Sequence, residues 1–417
     1  MLLSTNSDKV IIGYDLANTC SQISYCYIKG KSEVETFSTV AGEENYDIPT
    51  VLCKRMGINQ WYAGNEALRV CEEEPDQVIL VDNLVELALD GEELQIDGES
   101  YEPEKLLALF VKKSLGLMSG IAPLEKVEAI MFTCDVLTKR TVELLDIIAA
   151  GLALKNTRIF YQNYTESFYS YMIYQPKELW TFRSLLFDYR TEKLKYMCME
   201  CNKKTTPIVV FIDRETLDFD GTDEQMYDIS NVLLGGERVS SVYLIGERFA
   251  SGWMKKSLKA LCTGRRVFQG NNLYSKGACF CLMERLQGSV VGGEYVFLGN
   301  DKLKANVGMR VSKRGEPAYY ALLDAGNNWY ELQYSCELYL RDEEELEFEV
   351  SPLIGKDVKV MKVSLEGLDL KPGESTRIRL DLHLIQENIM CVKVQDLGFG
   401  EFRAPVENIW EEQLELY

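Results

Sequence analysis

Twice in this chain an apolar strand runs into an aspartate, turns through small or polar residues and returns as an alternating strand. The first copy reads Val10-Ile11-Ile12-Gly13-Tyr14-Asp15, with a turn at 17–21 and alternation at 23–28. The second reads Ser184-Leu185-Leu186-Phe187-Asp188, with a short polar turn and alternation at 194–200. Period-two patterning specifies a half-buried strand, and a tight polar turn between two such runs folds them back antiparallel. The recurrence predicts duplicated halves, each opening with a β-meander that the runs at 34–37 and 207–212 extend.

Helical periodicity occupies 103–118, 139–154 and 165–174, with strand-like runs at 129–132 and 157–161 between them. The second copy is followed by a helical pattern at 224–234, a buried-type strand at 242–246 and a helix at 277–286. Strands alternating with helices require a parallel or mixed sheet with helices on its faces, so two α/β lobes facing one another are expected.

Past a glycine-rich loop at 287–293 the helices stop. Alternating runs follow at 304–311, 318–323, 329–340, 346–350, 358–365, 376–384 and 389–395, with clear turns at Lys371-Pro372-Gly373-Glu374 and Gln386-Glu387-Asn388. An antiparallel β-sandwich is the economical arrangement. The expected domains are 1–180, 181–286 and 287–417, in keeping with a chain of 417 residues that exceeds the ~250 to 300 at which one core stops growing.

Composition narrows the function. Hydrophobic residues at 46% and aromatics at 11% place the chain among ordered globular proteins. A formal net charge of -20 repels a phosphate backbone or an anionic membrane surface, so nucleic acid is not an expected partner. No stretch approaches the ~18 apolar residues of a membrane helix, and residues 1–10 lack a basic segment followed by an apolar one. No membrane insertion and a cytoplasmic location are therefore expected.

The 12 cysteines are scattered, as in Tyr25-Cys26-Tyr27 and Cys279-Phe280-Cys281, which suits buried thiols in a reducing compartment. Cys198 with Cys201, and Cys279 with Cys281, are the pairs a metal reading would use. With one histidine in the chain, His383, a four-ligand zinc site lacks its remaining ligands and no metal is expected. The single histidine, in the alternating run 377–384, also removes most Ser-His-Asp and Cys-His schemes. The acidic run 341–347 reads as a solvated connection, and Asn163-Tyr164-Thr165 as a sequon without meaning inside a cell.

The motifs resemble those of the DnaK-type heat-shock chaperones, within the wider actin, hexokinase and heat-shock chaperone superfamily. Gly13-Tyr14-Asp15-Leu16-Ala17-Asn18-Thr19-Cys20-Ser21 resembles the family's first phosphate loop. Ile48-Pro49-Thr50-Val51 with Gly64-Asn65-Glu66-Ala67 resembles its following strand and turn, 242–246 its adenosine-site strand, and 380–398 the hairpin of its peptide-binding sandwich.

The resemblance covers nearly the whole chain. It implies two actin-like (ribonuclease-H-like) lobes followed by an all-β sandwich, ATP or ADP with magnesium as cofactor, and a protein or peptide partner on the sandwich. The nucleotide and magnesium candidates it implies are Asp15, Ala17, Asn18, Thr19, Asp188, Thr191 and Gly246. A strand-end aspartate organises magnesium and its waters, while small residues let phosphate lie against backbone N–H groups.

Departures from the family pattern converge on the phosphate-binding chemistry. Ala17 stands for a usual glycine and Asn18 for a usual threonine. The second loop reads Asp188-Tyr189-Arg190-Thr191-Glu192 where the family has a run of glycines, so side chains are expected in the phosphate's place. Gly246-Glu247-Arg248 replaces a double glycine and serine, the stretch 70–104 has no lysine or arginine and so no counterpart of the family's catalytic lysine, and Asn163 aligns with the family's catalytic glutamate.

Two of the cations, Arg190 and Arg248, read as exposed salt-bridge partners, with a phosphate-facing role as the alternative. The rings of Phe160, Tyr161, Tyr164, Phe168, Tyr169, Tyr171 and Tyr174 read as core packing, or more sharply as narrowing the cleft. The short segment 214–234 leaves little room for a helical cover over adenine, the stop at Tyr417 none for a helical lid, and 292–302 lacks an apolar interdomain linker.

The expected function is a chaperone-like binding protein with weak or absent nucleotide binding and no efficient ATP hydrolysis. A slow magnesium-dependent ATPase switch and an actin-like scaffold are the alternatives. Small-molecule kinase activity lacks a sugar-site signature beside the phosphate loops.

Overall fold

The computed structural model describes residues 9–28, 33–236, 238–341, 344–355 and 357–417. Residues 1–8, read above for a targeting signal, and 342–343 of the acidic run lie outside the described residues. The first half opens with β1 (Val10–Asp15), β2 (Cys20–Tyr27), β3 (Glu35–Thr36) and β4 (Ile48–Pro49). A small antiparallel sheet follows, with β5 (Leu52–Arg55) between β6 (Gln60–Ala63) and β7 (Val78–Val81), together with α1 (Gly64–Glu73) and α2 (Leu84–Asp90). The hairpin β8 (Leu94–Ile96) and β9 (Glu99–Tyr101) leads to α3 (Pro103–Gly116), β10 (Val127–Cys134), α4 (Lys139–Leu152), β11 (Arg158–Asn163) and α5 (Tyr164–Ile173).

The second half runs β12 (Arg183–Asp188), β13 (Leu194–Asn202), β14 (Ile208–Leu217), α6 (Asp223–Leu234), β15 (Val239–Ile245), α7 (Lys256–Cys262), β16 (Arg266–Gln269), α8 (Leu273–Gln287) and β17 (Tyr295–Phe297).

The two main sheets repeat one topology. The first is ordered β11-β10-β1-β2-β3 and the second β16-β15-β12-β13-β14-β17. In each, a central strand ending in aspartate has an antiparallel meander on one side and two parallel strands on the other. The central strands are buried along their length, apart from part-buried Arg183 at the start of β12, which is why they read as apolar runs rather than alternating ones.

The last helix of each half packs on the other half's sheet. From α5, Phe168 and Met172 join a core with Leu186, Met197, Val210 and Tyr243 of the second sheet. From α8, Ala278, Cys281 and Leu282 join Ile11, Cys26, Ala129 and Met131 of the first. The helix α8 lies close against both α5 and β1: a Cβ on Gly277 would lie 2.0 Å from the Ser167 carbonyl oxygen of α5, and one on Gly13 of β1 would lie 2.1 Å from that of Ser275. Only glycine permits such approach. This exchange explains why 1–180 and 181–286, expected as separate lobes, fall within one compact unit that ends at Phe297. The unit extends past 286 because β17 adds parallel to β14.

The second compact unit begins at Leu298. It holds β18 (Ala305–Lys313), β19 (Glu316–Leu323), β20 (Gln333–Arg341), β21 (Glu345–Pro352), β22 (Lys359–Ser364), β23 (Ser375–Gln386), β24 (Ile389–Gly398) and β25 (Ile409–Glu415). These form two antiparallel four-stranded sheets, β19-β18-β21-β22 and β20-β23-β24-β25. Alternation buries one face of each, with Leu346, Phe348 and Val350 from one sheet and Ile378, Leu380 and Leu382 from the other inside. Tyr320 and Tyr334 share a hydroxyl hydrogen bond of 2.7 Å between β19 and β20, and the Lys359 ammonium donates to the Glu415 carbonyl between β22 and β25. No described helix of the chain is long and apolar enough to cross a membrane.

Candidate functional site

Asp15 and Asp188 end the equivalent central strands β1 and β12, and a single guanidinium joins them. Arg190, two residues beyond Asp188, donates from Nη1 to Asp15 Oδ2 at 2.8 Å. Its Nε and Nη2 each donate to the Asp188 carboxylate at 3.1 Å, and its backbone N–H donates to Asp188 Oδ1 at 3.2 Å. Two tyrosines complete the shell. Tyr164, at the start of α5, donates to Asp15 Oδ1 at 2.7 Å, and Tyr274, at the start of α8, donates to Asp188 Oδ2 at 3.1 Å.

The tyrosine rings stack on one another with centroids 4.0 Å apart and planes within 7° of parallel. The Arg190 Cζ lies 4.8 and 4.7 Å from the two centroids. A point equidistant from both stacked rings lies beside the pair rather than over a ring face. Packing and hydrogen-bond geometry, more than face-on cation–π attraction, therefore hold the guanidinium.

The cluster is dry. Asp15 is fully buried, Asp188 nearly so, and the Arg190 side chain retains 17% exposure. Burial pushes the Asp15 carboxyl up to about 6, opposed by Arg190 and the Tyr164 hydroxyl. For Arg190, burial opposes the charge, but Asp188, Tyr164 and Asp15 outweigh it and hold the guanidinium protonated. Burial likewise drives both tyrosine hydroxyls well above their usual range, so they act as donors and not as bases.

Each carboxylate oxygen of Asp15 and Asp188 already accepts at least one hydrogen bond. A divalent cation would have to displace Arg190 to reach them. Arg190 is thus a part-buried internal ion-pair partner, and the expectation of an exposed one is corrected. Its place depends on Gly246, whose φ is +116° and whose Cβ, if present, would lie 2.5 Å from the Tyr189 carbonyl carbon. The Tyr189–Arg190 turn therefore lies directly against Gly246, and the Tyr189 N–H donates to the Ile245 carbonyl at 2.8 Å.

The remaining sequence candidates do other work. Asn18 Oδ1 accepts from the N–H groups of Val85 and Glu86 at 3.2 and 3.3 Å, capping α2 from a distant loop. The Ala17 carbonyl accepts from the Thr50 hydroxyl at 2.8 Å. Thr19 and Thr191 are exposed, and the Thr191 hydroxyl donates to the Lys193 carbonyl at 3.4 Å. Asn163 caps α5, accepting from the Glu166 N–H at 2.9 Å and the Thr165 hydroxyl at 2.6 Å. Arg248 is exposed, with its guanidinium carbon 5.3 Å from the Tyr189 centroid.

The aromatic segment divides. Phe168 lies in the core, Tyr169 stacks on Phe297 at 4.8 Å and Tyr174 on Phe280 at 4.4 Å, whereas Tyr164 turns to the aspartates. The Cys198 thiol donates to Glu200 Oε1 at 3.6 Å and the Cys279 thiol to the Ile11 carbonyl at 3.9 Å. Among the described residues no group of three or more His, Cys, Asp or Glu side chains gathers as a metal-ligand set. His383 lies half-buried in β23 of the second unit.

Sequence reasoning missed Tyr274, whose signal was available as the second-half counterpart of Tyr164 near a helix start. It also missed a second ionic bridge between the halves. Asp135, just past β10, accepts from the Lys195 ammonium at 2.9 Å and pairs with the Arg214 guanidinium, which also donates to the Asp135 carbonyl at 2.8 Å. Burial raises the Asp135 carboxyl, but Arg214 and Lys195 more than offset it and hold it below its usual range. Cavities of about 580, 250 and 660 Å³ occur elsewhere in the first unit, and none is lined by Asp15, Asp188 or Arg190.

Residues 33–300 match a family described as "Family of unknown function (DUF5716) C-terminal", and residues 302–416 match "Domain of unknown function (DUF8552)". The two ranges meet within a few residues of the boundary between the compact units. No curated protein matches the chain.

Proposed function

The chain belongs to the DUF5716 C-terminal family, and on that premise we propose that it is a chaperone-like, non-hydrolysing binding protein of actin-like architecture, acting in the cytoplasm on a protein or peptide partner. The observation that carries this reading is the Arg190 guanidinium bonded to both Asp15 and Asp188. In a phosphoryl-transfer site of this architecture, two strand-end aspartates attract a magnesium ion with its phosphates. Here an internal cation meets the same two carboxylates, so one of their two negative charges is already balanced and the space between them is occupied by the guanidinium. The repeated sheet order and the exchanged helices support the actin-like part of the reading.

A partner surface on the second unit is supported by an exposed aromatic group. Tyr339 is 72% exposed and Phe402 91%, and Phe399 contacts both, with ring centroids 5.9 and 6.3 Å away. Large rings kept in water next to one another mark a surface that another molecule covers.

Calorimetric titration of the full chain with ATP or ADP in the presence of magnesium tests the nucleotide half of the reading. No heat of binding at millimolar nucleotide is expected. Micromolar binding that Asp15→Ala abolishes would overturn it in favour of a slow ATPase switch.

A further inference from the structure

Cys53 and Cys71 hold their sulfur atoms 3.0 Å apart, although 18 positions separate them in the chain. Cys53 lies on β5, the middle strand of the small sheet, and is fully buried; Cys71 lies on α1 and is partly exposed. Both are free thiols. A disulfide requires an S–S distance of about 2.05 Å, so roughly 1 Å of side-chain movement separates this geometry from a bond. The surrounding cluster of Ala67, Val70 and Val78 offers neither sulfur a competing polar partner.

We infer that Cys53 and Cys71 form a modification site, a dithiol that a peroxide oxidises to a disulfide stapling α1 to β5. Accessibility assigns the order of events. Burial pushes the Cys53 thiol up to about 12, which leaves the partly exposed Cys71 as the attacking group. The Cys71 thiolate, its proton lost to solvent, attacks one peroxide oxygen. The O–O bond breaks, the released hydroxide takes up a proton and leaves as water, and Cys71 becomes a sulfenic acid. The Cys53 sulfur then attacks the Cys71 sulfur, the S–O bond breaks, and the hydroxide departs with the Cys53 proton as a second water. The two sulfurs lose two electrons and the peroxide gains both.

The staple has a local consequence. Asn65 and Glu66, in the first turn of α1, line the cavity of about 250 Å³ together with Phe37, Ile48 and Lys113. Fixing α1 to the sheet fixes one wall of that cavity.

The test treats the full chain with hydrogen peroxide, blocks the remaining thiols, and digests with trypsin without reduction. Cleavage at Arg55 and Arg69 places the two cysteines on different peptides. The expected result is a Cys53–Cys71 linked peptide, two fewer free thiols, and a melting temperature raised by about 5 °C, all reversed by dithiothreitol. Cys71→Ser should abolish the link and the rise while leaving the reduced protein's melting temperature unchanged. Absence of the link, oxidation of Cys71 to a sulfinic acid without it, or a link that does not raise the melting temperature would overturn the inference.

Discussion

Tyr164 and Tyr274 lie ring on ring, 4.0 Å between centroids, and each phenol donates to the aspartate that ends a different central strand. Tyr164 begins the last helix of the first half and Tyr274 nearly begins that of the second. The pair is therefore the point at which the duplicated halves meet as equivalents. Arg190 breaks the equivalence, because the first loop supplies no second arginine and one guanidinium serves both carboxylates. An arrangement in which each carboxylate oxygen accepts from Arg190 or a tyrosine hydroxyl ties the two halves together through buried polar contacts.

Replacing Arg190 by glutamine should destabilise the first unit by about 3 to 5 kcal/mol, because two buried carboxylates lose their counter-charge. Urea unfolding followed by tryptophan fluorescence measures the loss. Combining Arg190→Met with Asp15→Asn and Asp188→Asn should recover most of it, since a neutral cluster carries no uncompensated charge. Failure of the triple variant to recover would point to the shape of the arginine rather than its charge.

Stability should depend on pH through Asp15. Its folded-state pKa of about 6 lies above the ordinary value of 3.8, so the folded form binds the proton more tightly. The resulting contribution is fully present below about pH 4 and is lost as pH rises through about 6. Between pH 7 and pH 4 the wild type should therefore gain stability relative to Asp15→Asn, by on the order of 3 kcal/mol. Melting curves of both proteins across that range give the difference. A constant gap would show that Arg190 holds Asp15 ionised throughout.

Gly277→Ala should force α8 away from α5, since the new methyl would lie 2.0 Å from the Ser167 carbonyl oxygen and backbone cannot yield as a side chain does. A loss of about 3 kcal/mol is expected. The near-ultraviolet circular dichroism of the stacked Tyr164 and Tyr274 should change with it. An unchanged spectrum would mean that the helices separate without disturbing the cluster.

Asn18→Ala should remove the distant cap on α2 and cost about 1 kcal/mol. Hydrogen exchange should accelerate at Val85 and Glu86, whose N–H groups lose their acceptor, while nucleotide binding should not respond. A change in nucleotide affinity instead would return Asn18 to the phosphate-loop role that its position in the sequence implies.

Local pattern carried much of the architecture. The strands ending at Asp15 and Asp188, the meanders beside them and the helix beginning at Lys139 were legible because periodicity and turn chemistry act over a few residues. β25 was not, because Ile409–Glu415 is an edge strand whose Glu411, Glu412 and Gln413 remain exposed and blur the alternation. The small sheet of β5, β6 and β7 was also missed, since strands of four residues present too short a pattern.

The sequence by itself determined that two aspartates end two equivalent strands and that side chains follow the second of them where glycines were expected. Only the tertiary structure decided what those side chains do. Whether Arg190 faces water, a phosphate or two buried carboxylates depends on where α5 and α8 cross and on how closely Gly246 lets the Tyr189–Arg190 turn approach. Those distances are set by contacts between residues far apart in the chain, and no local pattern encodes them.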